Sequence, residues 1–430
     1  MSSITQENPR GTDTLLAAVE AHRERLVEST QRLIAAASPN PPGDVSLAAN
    51  VALLLLEAIP GALVSRYETA PGIVNLVARI PSGRPGRRLV FNGHLDTFPL
   101  GEDLGWTVEP LGGLVRDGRL YGRGVSDMKA GIAASIAAAT VLAERPHDWC
   151  GEIVITLAGD EENMGRLGTQ WLLENVPEAR GDAMVSGDVG SPLVVRFGEK
   201  GLFWVEVSAT GKPAHGAHVH KGVNAIDRLR AALDALQRLE QLPVDAPPEI
   251  ERAVTLAAPV SEPMSGKGES AVLQRVTVNI GTIDGGVSPN LVPALARAQG
   301  DIRIPVGVST DQVIAKLDEW LGPMEGVEWK AVQRYEPSFT PPAHEIVQLA
   351  LAASALVTGG QPVANMRVGA SDARLYRAAG VPTIVLGCTP NGMGGPDEFV
   401  FIEELVNVTK IHALVAFRYL SAGFDEGAKP

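Results

Sequence analysis

The sequence predicts an α/β protein: a layered domain with a central, mostly parallel sheet, interrupted by an inserted α+β domain. Three observations point there. The chain has 430 residues, too many for one ordinary core. Up to about residue 205, buried strand-like runs alternate with helical ones, with polar groups at the strand ends. Near 205 the texture changes to half-exposed strands and amphipathic helices, and the buried pattern returns near 336. The expected organisation is 1–205 and 336–430 as one domain, with 206–335 inserted into it.

In chain order, residues 14–38 have helical periodicity, and the breaker "NPPG" follows at 40–43. A second helix is expected over 47–61, then strands at 73–81 and 87–97. The small-residue run from Asp127 to Pro146 reads as a helix able to pack closely on a sheet. Strands at 151–162 and 182–190 flank a helix at 168–178. In the insert, strands are expected at 203–211, 272–286, 294–305 and 327–335, and helices at 224–242 and 309–322. A loop rich in Gly, Pro and Ser is expected at about 257–270. A helix at 342–357 and a strand at 381–388 resume the first pattern.

Composition narrows the function. A content of 45% hydrophobic and 20% charged residues fits a soluble globular protein. The net charge of −13 argues against nucleic acid or an anionic membrane as partner. Two cysteines, Cys150 and Cys388, cannot frame a chain this long, which suggests a reducing compartment. The polar start lacks a signal core, and the apolar-leaning run 131–143 is too short to span a bilayer. A cytoplasmic enzyme acting on a small molecule is expected.

The chemistry gathers at strand ends. In "GHLDT", His94 and Asp96 are two apart on a strand and face one side, so the carboxylate can fix the ring's tautomer. Asp127 sits in a glycine-rich turn before a helix, where an N-cap is the competing reading. "AGDEEN" ends a buried strand with Asp160, Glu161 and Glu162, whose repulsion a cation would relieve. Asp188 in "SGDVG" repeats the arrangement. One histidine and several carboxylates converging on one sheet edge describe a divalent transition-metal site.

These motifs resemble the zinc-dependent amidohydrolases and peptidases that include carboxypeptidase G, acetylornithine deacetylase, succinyl-diaminopimelate desuccinylase and aminoacylase. The resemblance runs through "GHLDT", "GRGVSDMKAG", "GDEE", "GKPAHGAHVHKGVNAI", "NLVP" with "GDIR", and "GASDAR", in order. It implies that His94 and Asp188 hold one metal, that Asp127 bridges two, that Glu162 and a C-terminal histidine hold the second, and that Glu161 is the general base. It also implies that His215 stabilises an oxyanion from a neighbouring subunit's lid, that Asn290 and Arg374 approach substrate, and that the insert pairs two chains into a homodimer. Each has a structural alternative: a turn for Asn290, a helix start or ion pair for Arg374.

The chain departs from the family at one place. Relatives carry the last histidine just before "PDE"; here "MGGPDEFV" puts Gly394 there. Glycine has no side chain to ligate, so one tightly bound Zn, Mn or Co ion is expected rather than two. His412, the next histidine, reads as packed in the closing helix. The main reading is hydrolysis of an amide in a small carboxylate-bearing substrate. A one-metal deamination of an activated aromatic amine, as in the nitroanthranilate branch, is the alternative, and a non-catalytic binding relative is a third. His218 and His220 of "HGAHVH" remain unassigned, with a separate metal site as one option.

Overall fold

The computed structural model describes residues 9–101 and 105–422. The chain folds as two compact units. One comprises the chain up to Phe197, Thr340–Asn365 and the residues from Ser371 on; the other comprises Gly198–Phe339 with Met366–Ala370. The boundaries therefore fall at 197/198 and 339/340, not at the expected 205/206 and 335/336. The two linking segments run together: Gly198 and Glu199 pair with Phe339 and Ser338 at the edge of the large sheet.

The first unit is built on one large sheet. Its strands run in the order Leu63–Ala70, Ile73–Pro81, Glu152–Ala158, Arg88–His94, Ala183–Ser186, Thr383–Val385, Val194–Glu199. The central pairs are parallel and the flanking ones antiparallel. Glu152–Ala158 is buried along its whole length, as a strand covered on both faces must be. This explains why its sequence is nearly continuous in apolar residues.

Helix Ala130–Ala143 lies against this sheet. All but one of its side chains are buried, so it has no polar face. Together with the turn before it, Val125–Ala143 is long and apolar enough to cross a membrane by length and composition alone, longer than the 131–143 run suggested. It is 89% buried inside the protein, as a core helix is. Its start approaches the strand end at Gly187 backbone to backbone: a Cβ on Gly131 would stand 1.9 Å from the Gly187 carbonyl oxygen. Glycine at 131 is thus what lets Asp127 and Asp188 approach one another. The closing helix Ile402–Ser421 packs on the same helix. The expected N-terminal helix is two, Pro9–Ala21 and Arg23–Ala35.

The second unit is a four-stranded antiparallel sheet ordered Thr277–Gly285, Leu295–Ile304, Gly201–Thr210, Val327–Tyr335. Phe203, Val205 and Val207 meet Leu229 and Leu236 of helix Ala225–Gln237 and Val313 and Leu317 of helix Thr310–Leu321 in its core. Ser309 and Gln312 close a reciprocal capping box on the latter helix. The expected loop at 257–270 is mostly wrong. Helix Pro248–Ser265 runs through Pro259 and Pro263, and a short helix Glu269–Leu273 follows. Buried Ile250, Val254, Ala257 and Ser261 lie three to four residues apart, so packing of one face overrides the local proline penalty.

Candidate metal centre and active site

The carboxyl ends of the parallel strands form the site. His94 is the last residue of its strand, Asp160–Glu162 follow Ala158, and Asp188 lies two residues past Ser186. Gly124 turns the chain at φ +74 just before Val125–Lys129, which carries Asp127. His94 Nε2 stands 3.0 Å from Asp127 Oδ1 and 4.0 Å from Glu161 Oε2. Ligand atoms of His94, Asp127 and Asp188 lie within 4.8 Å of one another, and so do those of His94, Glu161 and Glu162.

Asp96 does more than the expectation. His94 Nδ1 is 2.9 Å from the Asp96 backbone carbonyl and 3.5 Å from its carboxylate, so both bear on the ring. The carboxylate also accepts the backbone N–H groups of Glu161 (3.1 Å) and Glu162 (3.0 Å) and the Asn40 amide (2.9 Å). It is the clamp that presents the two glutamates.

The electrostatics call for a cation. Burial pushes the Glu161 carboxyl well above its ordinary value, with Asp372, Asp188 and Glu162 adding to the rise against the pull of His94. Burial raises Glu162 to about 8, and the Asp127 charge adds to it. Glu162 Oε1 is buried with no hydrogen-bond partner among the described residues. Burial disfavours the imidazolium of His94, yet Asp127, Asp96 and Glu161 outweigh it and hold the ring well above its usual value. Carboxylates that retain a proton on a buried imidazole would equally retain a metal ion in that proton's place. An N/O donor set of this kind fits Zn, Mn or Co.

Residues 90–418 match the sequence pattern of Peptidase family M20/M25/M40. The chain belongs to this family. The succinyl-diaminopimelate desuccinylase of Rhodospirillum centenum is 30% identical over 363 residues, 83% of this chain and 86% of that one. The protein of the same name from Cereibacter sphaeroides is 30% identical over 384 residues, covering 86% and 94%. Among solved structures, an M20 metallo-carboxypeptidase from Sulfolobus solfataricus aligns with TM-score 0.77 at 18% identity, over 92% of this chain and 99% of that one. Human carnosine dipeptidase 1 aligns with TM-score 0.74 at 17% identity, over 95% and 99%. As an M20 member, the chain is a divalent-metal-dependent hydrolase acting on amide C–N bonds.

Several residues that serve this M20 site do not stand out in the sequence. Glu398, of "PDE", is buried and accepts from Arg123 Nη1 (2.8 Å), Gly124 N (3.2 Å), Ser126 N (2.9 Å) and Ser126 Oγ (2.8 Å). It grips the turn that carries Asp127. Arg123 also donates to the Gly394 carbonyl at 3.2 Å. Asp372 accepts from Thr169 Oγ1 at 2.6 Å, and burial raises it to about 6. Its position inside "GASDAR" was the available signal. Arg374 is buried and donates to the Ser371 and Met164 carbonyls, each at 2.6 Å, which ties the loop after Glu162 in place.

The remaining candidates lie in the second unit. His215 and Asn290 are exposed and come together there: Gly216 N donates to the Asn290 carbonyl at 2.6 Å, and His215 bridges to Leu291. His215 Nδ1 accepts from Ala217 N at 3.1 Å, a helix cap. The rings of His215, His218 and His220 follow one another at 6.0 and 5.9 Å between centroids. Among the described residues, the two groups with metal-ligand spacing both contain His94, and neither includes this trio. His412 is packed in the first unit: Nε2 donates to the Leu386 carbonyl at 2.7 Å, and Nδ1 lies 3.3 Å from Ser135 Oγ.

Proposed function

We propose that the chain hydrolyses the amide of a small carboxylate-bearing N-acyl amino acid or dipeptide, with one tightly held ion. The observation that carries this is the trio His94, Asp127 and Asp188 beside Glu161. A divalent ion held by the trio would polarise an amide carbonyl and a water molecule. Glu161 takes the water's proton and passes it to the leaving nitrogen. Asp96 holds Glu161 at its backbone so that the carboxylate keeps its place. His215 serves the developing oxyanion and Asn290 the substrate, on the strength of the family resemblance. For Arg374, burial and two carbonyl partners favour a positioning role. Relatives named succinyl-diaminopimelate desuccinylase support an acylated, carboxylate-bearing substrate.

One ion is favoured by Gly394. A Cβ built there meets Phe98 Cδ2 at 3.8 Å as its sole neighbour within 4 Å among the described residues. The second ion would keep Glu162 and the shared Asp127. The same feature gives weight to a second reading, deamination of an activated aromatic amine, in which a ring substituent takes up the charge.

The test is turnover of N-acyl amino acids and dipeptides by protein loaded with Zn, Mn or Co, beside an ammonia assay on nitro-substituted anilines. Amine release from the amides is expected, with about one ion per chain. Ammonia from the ring amine without amide turnover would replace the first reading by the second. Two tightly held ions per chain would remove the one-ion assignment.

A further inference from the structure

Strand Ile73–Pro81 carries an amide in its most deeply buried stretch. Asn75 stands between Val74 and Leu76, and all three are 0% exposed. A carboxamide there is costly unless its polar atoms find partners. They do, and two of the partners lie at the ends of one loop. Asn75 Oδ1 accepts from Gly159 N at 3.0 Å. Its Nδ2 donates to the Leu167 carbonyl at 2.8 Å and to Thr69 Oγ1 at 3.3 Å. Thr69 Oγ1 donates to the same Leu167 carbonyl at 2.7 Å.

Gly159 and Leu167 bracket Glu161 and Glu162. The ladder between Ile73–Pro81 and Glu152–Ala158 runs from the pair Pro81 and Glu152 to the pair Leu76 and Leu157, and stops there. A carboxamide has the donor and the acceptor of a peptide group, so Asn75 continues the ladder with its side chain where the chain leaves the sheet. The approach is close: a Cβ on Gly159 would stand 2.7 Å from the Val74 carbonyl oxygen. Asp160 closes the same loop from within, its Oδ2 accepting from Leu167 N at 2.9 Å and its carbonyl from Gly165 N at 2.7 Å. His94, Asp127 and Asp188 all lie outside residues 159–167. What Asn75 holds is therefore the two glutamates and not the metal trio.

We infer that Asn75 is a positioning residue for the hydrolysis, joining both ends of the 159–167 loop and so fixing where the Glu161 carboxylate stands beside the trio. Its hydrogen bonds go to the loop's main chain and to Thr69, and it acts on the reaction through Glu161. This rests on the reading of Glu161 as general base.

Asn75→Leu removes both ends of the clamp. In zinc-loaded protein, kcat for the N-acyl amino acid or dipeptide turned over fastest should fall ~10–100-fold. KM and zinc retention on dialysis should stay close to those of the unsubstituted enzyme, because the trio is untouched. Amide hydrogen exchange should rise in 159–167 and not in Arg88–His94. Asn75→Asp adds a pH signature. Its protonated carboxyl can accept from Gly159 N and donate to the Leu167 carbonyl; ionised, it has no donor and sets a charge against that carbonyl. Its kcat relative to the unsubstituted enzyme should therefore fall as pH rises, whereas that of Asn75→Leu stays level. Thermal unfolding reports whether each variant is folded, and Asn75→Asp carries the test if Asn75→Leu is not. Unchanged exchange in 159–167, unchanged kcat in folded Asn75→Leu, zinc lost in step with turnover, or a level ratio in Asn75→Asp overturns the inference. Near-normal turnover in Glu161→Gln overturns the base reading instead, and no amide turned over by the unsubstituted enzyme overturns the amide reading; exchange in 159–167 still decides whether Asn75 holds the loop.

Discussion

At Glu161 burial and neighbouring carboxylates oppose the charge that a general base requires, and a cation in the cluster would restore it. Glu161→Gln keeps the shape and removes the basicity. Turnover should fall ~10²–10⁴-fold while metal content stays the same, as assayed by kinetics beside elemental analysis. Near-normal turnover would take the base role from Glu161. Glu398 makes a separate prediction. Glu398→Ala strips four hydrogen bonds from the Asp127 turn and leaves Arg123 charged, buried and without its carboxylate. Breaking such a pair costs about 3–5 kcal/mol, and metal affinity should fall ~10–100-fold. Glu398→Gln should recover part of both. Equilibrium dialysis showing unchanged metal affinity in Glu398→Ala would show that the grip is not needed. The proposed ligands were legible in the sequence because His94, Glu162 and Asp188 stand at the ends of apolar runs and Asp127 in a glycine-rich turn before a helix. Glu398 and Asn40 were not: their partners lie 274 and 56 residues away, and nothing local marks either. Asp96 faces His94 as the strand pattern implies, but its further donors, Glu161 N, Glu162 N and the Asn40 amide, are not legible there, since alternation shows which side a carboxylate faces and not every donor it meets.

At the scale of elements, the long alanine-rich helix and the closing helix share one buried imidazole. Burial lowers His412 from 6.5 to about 4, so the folded protein keeps it neutral. The unfolded chain binds a proton there below pH 6.5, so this residue's contribution to stability is lost as pH falls from 6.5 towards 4. The difference corresponds to ~3 kcal/mol. Replacement by His412→Gln removes that dependence. The gap in unfolding free energy between the two proteins should therefore narrow by about that amount from pH 7 to pH 4, as measured by denaturant titration. A constant gap would mean the imidazole is not neutral when folded. The elements show where local reading fails. Strands such as Glu152–Ala158 were plain because burial on both faces writes itself as an apolar run. Helix Pro248–Ser265 was hidden because two prolines speak for a loop, while the packing that overrules them depends on residues elsewhere.

At the scale of the molecule, an ion that binds only the folded site adds stability, ~2.7 kcal/mol when its concentration is a hundred times its Kd. A chelator should lower the melting temperature by several degrees, and Asp188→Ala should abolish that response; a chelator without effect on the unsubstituted protein would argue against a tightly held ion. We also propose that the second unit pairs with its copy. Among the described residues nothing pairs beyond its outer strands Thr277–Gly285 and Val327–Tyr335, which expose Ile283 (65%) and Val332 (50%). Light scattering should give twice 45.3 kDa, and a monomer at working concentration would rule the pairing out. The division into two bodies was readable from the change in texture near 205, whereas the join was not, because it depends on which linking residues pair. The route by which the first body closes has a consequence for how the protein is made. His94, Asp127 and Asp188 leave the ribosome early, but Glu398, which grips the Asp127 turn, and strand Thr383–Val385, which pairs beside Asp188's strand, are translated near the end. A nascent chain halted at residue 335 carries every proposed ligand and still lacks the parts that hold them in register. An ion that needs the finished site would therefore be expected to bind after release, and ribosome-bound chains halted at 335 should hold less metal than the full chain.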